Sequence, residues 1–130
     1  DQDLFVVKYN SSGTKQWTKQ LGTSSYDIAS GVATDSSGNV YVAGHTRDGL
    51  DGNLSAGDYD LFVVKYNATG TKQWTKQLGT TSYDLAAGVA IDSSSNVYVA
   101  GSTEGGIDGN SRLGDRDLFV VKYDSDGNKQ

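Results

Sequence analysis

The residues of this chain best suited to chemistry are carboxylates and amides set among glycines. Asp48-Gly-Leu-Asp51-Gly-Asn53 is followed by Gly57-Asp58-Tyr-Asp60, and Gly105-Gly-Ile-Asp108-Gly-Asn110 by Gly114-Asp115-Arg-Asp117. Carboxylate and amide oxygens are hard ligands, and glycines permit the sharp turns that let such groups converge on a calcium ion. Asp48, Asp51, Asn53, Asp58, Asp60, Asp108, Asn110, Asp115 and Asp117 are therefore candidate calcium ligands. Their spacing differs from that of the EF-hand loop, and Gly105 stands where the first copy has Asp48. The same residues also suit Asx-turns, in which Asp and Asn side chains cap loop backbone. Asp124-Ser-Asp126-Gly-Asn128 has the flavour of a calcium loop too, but its counterparts Asn10-Ser-Ser-Gly-Thr14 and Asn67-Ala-Thr-Gly-Thr71 lack the acids and read as hairpin turns.

Nothing else assembles into a catalytic set. His45 is the single histidine and Glu104 the single glutamate, and there is no cysteine. A nucleophile, a base and an orienting group cannot be drawn from that inventory, so no catalytic residue is assigned and the chain reads as a non-enzyme. Asp27, Asp84, Asp35 and Asp92 fall in turns, where capping of backbone is the expected role. Trp17 and Trp74 suit stacking on a sugar ring or packing between repeated units. Asn10-Ser-Ser12, Asn53-Leu-Ser55 and Asn67-Ala-Thr69 match the glycosylation acceptor pattern. The net charge of −5, with Lys and Asp interspersed, offers no basic stripe for a nucleic acid. No apolar run is long enough to insert in a bilayer as a helix.

The elements that carry these residues recur with a period of 57. Asp3-Leu-Phe-Val-Val-Lys-Tyr9 returns at Asp60–Tyr66 and again at Asp117–Tyr123, and Trp17 returns as Trp74. Residues 1–57 and 58–114 differ at only 15 positions, seven of them between His45 and Ala56. The chain is thus about two and a quarter repeats. Long fixed periods mark supersecondary units that need neighbours to bury their faces.

Within one unit, Leu4–Tyr9 is β-branched and aromatic on both faces, which predicts a strand covered on both sides. Thr14 to Leu21 alternates and carries Lys15 and Lys19, the pattern of a half-exposed edge strand. Ala29-Ser-Gly-Val-Ala33 is a strand of small side chains, joined by the turn Asp35-Ser-Ser-Gly38 to a further strand at Asn39–Gly44. Four short strands per unit, the smallest innermost and the Trp-bearing one outermost, predict an all-β array of four-stranded antiparallel propeller blades. A β-helix rung is shorter, a sandwich domain longer, and no helical period is present.

Gly31-Val-Ala-Thr-Asp-Ser-Ser-Gly-Asn-Val-Tyr-Val-Ala-Gly44, with Asp-Leu-Phe-Val-Val-Lys-Tyr and Lys-Gln-Trp-Thr-Lys-Gln-Leu-Gly, resembles the bacterial SBBP β-propeller repeat over essentially the whole chain. The resemblance implies blades within long secreted or surface-associated prokaryotic proteins, hence an extracellular or cell-surface location. It implies no catalytic residues. In propeller order, residues 1–25 supply the outer two strands of a first blade, 26–82 a complete blade, and 83–130 the first three strands of a third. That is not a complete ring, since propellers have about four to eight blades. Beginning and ending inside a repeat, without an initiating Met or a leader-like segment, the chain reads as a processed product or part of a longer array.

The expected role is a structural or interaction scaffold whose partners are neighbouring copies or repeats, and beyond them a glycan or surface protein. Two alternatives stand beside it: a calcium-dependent, lectin-like adhesion module, and a subunit of an open extracellular filament.

Overall fold

A computed structural model describes residues 2–130. Each Leu-Phe-Val-Val-Lys-Tyr run forms a strand: β1 (Leu4–Tyr9), β5 (Asp60–Tyr66) and β9 (Asp117–Tyr123). The Trp-bearing segments form β2 (Lys15–Leu21) and β6 (Lys72–Leu78). The small-residue segments form β3 (Asp27–Thr34) and β7 (Asp84–Ile91), followed by β4 (Val40–Thr46) and β8 (Val97–Thr103). The only helical turns among the described residues are short 3-10 segments at Leu50–Gly52 and Ile107–Gly109. No helix there is long and apolar enough to cross a membrane.

Pairing is antiparallel between sequence neighbours, and it divides the strands into three sheets: β1-β2, β3-β4-β5-β6 and β7-β8-β9. The middle sheet is a complete four-stranded blade; the outer sheets hold two and three strands of the same plan. Among the described residues nothing closes them into a ring.

The hairpin turns follow from local chemistry. Asp35 Oδ1 accepts the backbone N–H groups of Ser37 and Asn39, both at 3.0 Å, while Gly38 closes the turn at φ 78°. Asn10, Asn67, Asp92 and Asp124 accept backbone N–H groups in the same way in their own turns. These Asx-turns explain why short Asp/Asn-Ser-Ser-Gly tracts can reverse the chain. Ser95 occupies the place of Gly38 in the third sheet and adopts φ 62°, a conformation that favours glycine.

Two apolar layers hold the sheets face to face. One joins Leu4 and Val6 of the first sheet to Val40, Val42, Phe62, Val64 and Tyr66 of the complete blade, with Trp17 and Leu21 packed against them. The other joins Tyr41, Ala43, Leu61 and Val63 to Val97, Val99, Phe119, Val121 and Tyr123 of the third sheet. Strand β5 is buried on both faces, as its doubly apolar sequence requires. Between β3 and β7 the backbones come so close that a Cβ on Gly31 would lie 3.4 Å from the Cα of Gly88. Small side chains are the condition for that approach.

Candidate functional site

The segments 47–59 and 104–116 form paired loops after β4 and β8, and each is pinned by one apolar residue. Leu50 is completely buried beside Phe62 and Val64, and Ile107 sits in the corresponding place in the other layer. Directly after each anchor the backbone turns left-handed, with φ 58° at both Asp51 and Asp108. Asp tolerates this region better than most residues.

That turn determines where the carboxylates go. Asp51 pairs with Lys72 Nζ and accepts the Thr75 hydroxyl at 2.7 Å. Burial works against its charge, but the Lys72 and Thr75 bonds outweigh it and hold the carboxyl below its usual range. Asp108 pairs with Lys129 in the same geometry. Asn53 and Asn110 turn inward, each donating its amide to the carbonyl of the anchor residue, at 2.8 and 3.0 Å. Asp60 is fully buried and accepts the Ala56 N–H at 2.7 Å and the Gln77 amide at 2.8 Å. Asp117 accepts the Leu113 N–H at 2.7 Å, and Asp48 accepts that of Gly49 at 2.8 Å. Asp58 is exposed, and Asp115 is exposed with a loose 3.5 Å contact to Arg112.

The nine candidate calcium ligands are therefore not brought onto one point. Each loop distributes its carboxylates among a lysine, backbone N–H groups and solvent. Among the described residues no three His, Cys, Asp or Glu side chains gather as a cation site. The physical reason is a lysine that recurs with the repeat, Lys72 on β6 and Lys129 beyond β9, which brings a positive charge to the central carboxylate of the loop. Asp48, Asp60 and Asp117 accept loop backbone N–H groups, as the capping alternative expects of them.

Two arrangements were not legible as sites in the sequence. The first is a cross-blade clamp. Lys8 Nζ and Trp17 Nε1 both donate to the carbonyl of Ala68 in the next sheet, at 3.0 and 3.2 Å. Lys65 Nζ and Trp74 Nε1 do the same to the carbonyl of Ser125, at 2.8 and 3.2 Å. Trp17 also lies 6.0 Å from the ring of Tyr66. The tryptophans are thus packing residues whose N–H groups are used up, and not free stacking platforms. The recurrence of Lys and Trp in phase was the available signal.

The second is an aromatic and charged cluster on the rim. Tyr59 stacks on Tyr83 at 5.6 Å, His45 meets Tyr59 edge-on at 5.5 Å, and the Arg47 guanidinium lies 6.0 Å from the Tyr59 ring. One unit later Glu104 and Arg116 replace Arg47 and Tyr59, and they form an ion pair at 2.6 Å. Two of the variable positions therefore change together, exchanging a cation–π contact for a salt bridge. His45 is pressed against the Ala86 backbone; burial lowers its pKa and the Ala86 contact only partly offsets that. What the rim presents is a shaped, variable surface on a repeated frame.

The comparisons with known proteins agree with that frame. The SBBP β-propeller repeat profile matches residues 16–50 and 73–108, more than half of the chain. The chain belongs to the SBBP β-propeller repeat family. Each match runs from an outer strand into the inner two strands of the following sheet, so the family unit spans a blade boundary. This SBBP chain is also similar to the regulatory protein FlaEY of Caulobacter vibrioides, with 30% identity over its whole length and 15% of that relative. It is 26% identical, over 77% of its length and 8% of the relative, to an uncharacterized WD repeat-containing protein of Acanthamoeba polyphaga mimivirus. The chain spans a small part of both. The family and these relatives support a repeat interaction module.

Proposed function

We propose that this SBBP chain is a non-catalytic scaffold of an extracellular or cell-surface prokaryotic protein, able to assemble with copies of itself. The carrying observation is the contrast between its two kinds of surface. The blade faces repeat almost without change and are locked by the Lys–Trp clamps. The rim loops hold nearly half of the differences between units while keeping their buried anchors. Rigid elements that present variable loops are the usual basis of recognition. The names of the two relatives describe a regulatory protein and a WD-repeat protein, and neither names a reaction.

Two measurements test this reading. Protease added to intact cells that carry the parent protein is expected to digest the repeats; protection until lysis overturns the surface location. Absolute mass by light scattering after size exclusion is expected to exceed that of one chain. A discrete multiple means a ring, and an unlimited ladder means a filament. A monomer at every concentration overturns self-assembly.

A further inference from the structure

The three glycosylation acceptor patterns, Asn10-Ser-Ser12, Asn53-Leu-Ser55 and Asn67-Ala-Thr69, are treated differently by the fold. Asn53 is closed. Its Nδ2, the atom that such a modification uses, donates to the carbonyls of Leu50 and Thr75 at 2.8 and 3.4 Å. Asn67 is open. Its Oδ1 accepts the N–H groups of Thr69 and Thr71 at 3.1 and 2.8 Å and the Thr69 hydroxyl at 2.8 Å, so the carboxamide is fixed through its oxygen alone. Among the described residues nothing accepts from its Nδ2, and that atom is not buried. Asn67 is half-buried, and Ala68 and Thr69 beside it are exposed. This exposure belongs to the complete blade, which has sheets packed on both its faces. Asn10 makes the same bonds with Ser12 and Thr14 in its own turn.

The turn itself needs neither residue of the pattern. In the third sheet Asp124 caps the equivalent turn, with Asp126 in the place of Thr69, and its Oδ1 accepts the N–H groups of Asp126 and Asn128 at 2.9 and 2.8 Å. Asp35 and Asp92 cap the β3-β4 and β7-β8 turns in the same way. Asn is the cap only at 10 and 67, and there a hydroxyl two residues on bonds to its oxygen. We propose that Asn67, and Asn10 with it, is an acceptor for an N-linked glycan, and that Asn53 is not. This rests on the extracellular reading, because such acceptors are used in secreted proteins. In the transfer Nδ2 bonds to the anomeric carbon of an oligosaccharide. The bond from that carbon to a polyprenyl diphosphate breaks, the diphosphate leaves with the electron pair, and the transferase takes the Nδ2 proton. Three donors on Oδ1 hold the carboxamide plane and draw electron density from it, which makes the free N–H more acidic. The fixed turn presents that group without an ordering cost.

The position suits a molecule with two kinds of surface. Strand β5 runs from the rim loop 47–59 to the turn at Asn67, so the acceptor lies at the other end of the strand from the variable loops. A glycan there clothes one side of the blades and leaves the recognition loops clear. It also spares the clamp, which uses the Ala68 carbonyl and no atom of Asn67.

The test incubates the full folded chain, and in parallel its tryptic peptides, with a purified oligosaccharyltransferase and lipid-linked oligosaccharide, and maps the modified sites by mass spectrometry. All three asparagines are expected to be modified in the peptides, and only Asn67 and Asn10 in the folded chain. Asn67 modified only as a peptide, or Asn53 modified as readily as Asn67 in the folded chain, overturns the proposal. An Asn53 peptide that stays bare overturns the geometric reason for its exclusion. Asn67→Asp keeps the cap, as Asp124 does, and is expected to abolish modification there with the melting temperature unchanged. The parent protein isolated from its cells completes the test. A glycan at Asn67 supports the acceptor role. Repeats digested on intact cells with Asn67 bare overturn that role and leave the surface location standing; repeats protected until lysis with Asn67 bare overturn both.

Discussion

Strand β5 and its twins β1 and β9 set the same residues in opposite surroundings. Phe62 is fully buried while Phe5 is 68% exposed, and Leu61 is fully buried while Leu118 is 83% exposed. Neither intrinsic propensity nor local sequence separates them, because the heptapeptide is identical. The difference is the number of neighbouring sheets. A blade has two apolar faces and no core of its own, so each face is stable only when another blade covers it. Burying one large apolar side chain contributes about 1.5–3 kcal/mol, enough for a missing neighbour to alter the balance of a whole blade.

Truncating equivalent residues breaks the comparison most sharply. Phe62→Ala is expected to destabilise by about 3–5 kcal/mol in urea denaturation, the range for a large buried aromatic. Phe5→Ala is expected to change stability by less than about 0.5 kcal/mol in dilute monomer. Equal effects would mean that the terminal strand is not solvent-facing.

The clamps come next. Trp74→Phe and Lys65→Met each remove one donor to the Ser125 carbonyl and leave the other. Each single change is expected to cost about 1 kcal/mol, and the pair more than the sum, because a carbonyl stripped of both donors keeps its desolvation penalty. Strict additivity in a double-mutant cycle would show that the two donors act independently.

Acid should separate the two interfaces of the complete blade. His45 lies in the layer toward the third sheet, and burial lowers its pKa from the ordinary histidine value of about 6.5. A histidine whose folded pKa is depressed contributes stability above its unfolded pKa and loses it as pH falls through the folded value. Stability is therefore expected to decline below about pH 6.5, and His45→Ser, the residue found at Ser102, should flatten that slope. Asp92 and Asp124 act lower on the scale. Hydrogen bonds from Asn96 and Asn128 lower their pKa values, so their contribution is present above the ordinary carboxylate range and lost in stronger acid.

Ser95→Gly should raise stability by about 0.5–1 kcal/mol, since it relieves a left-handed φ that Gly38 already accommodates in the other blade. The smallest effect is expected from metal. Added calcium or chelator should leave the melting temperature unchanged, because Asp51 and Asp108 are held by Lys72 and Lys129. A calcium-dependent rise would mean that these ion pairs open to admit the cation.

The strands and the hairpin turns were legible because they rest on local rules. Alternation, β-branched runs and Asp-Ser-Ser-Gly turns act over a few residues. The separate placement of the candidate calcium ligands was not legible for the complementary reason. Composition shows which side chains a loop contains but not which lysine of a neighbouring strand reaches them, and Lys72 lies 21 residues from Asp51. The rim cluster was hidden in the same way, since Arg47, Tyr59 and Tyr83 meet only when two blades stand side by side.

By itself, the sequence determined the repeat, the strand pattern and the family, all of which depend on near neighbours along the chain. Only the tertiary structure decided which copy of an identical strand is buried, which carbonyl receives the Lys–Trp pair and which carboxylates stay apart. Those outcomes depend on contacts between blades, and identical segments differ in their blade neighbours alone.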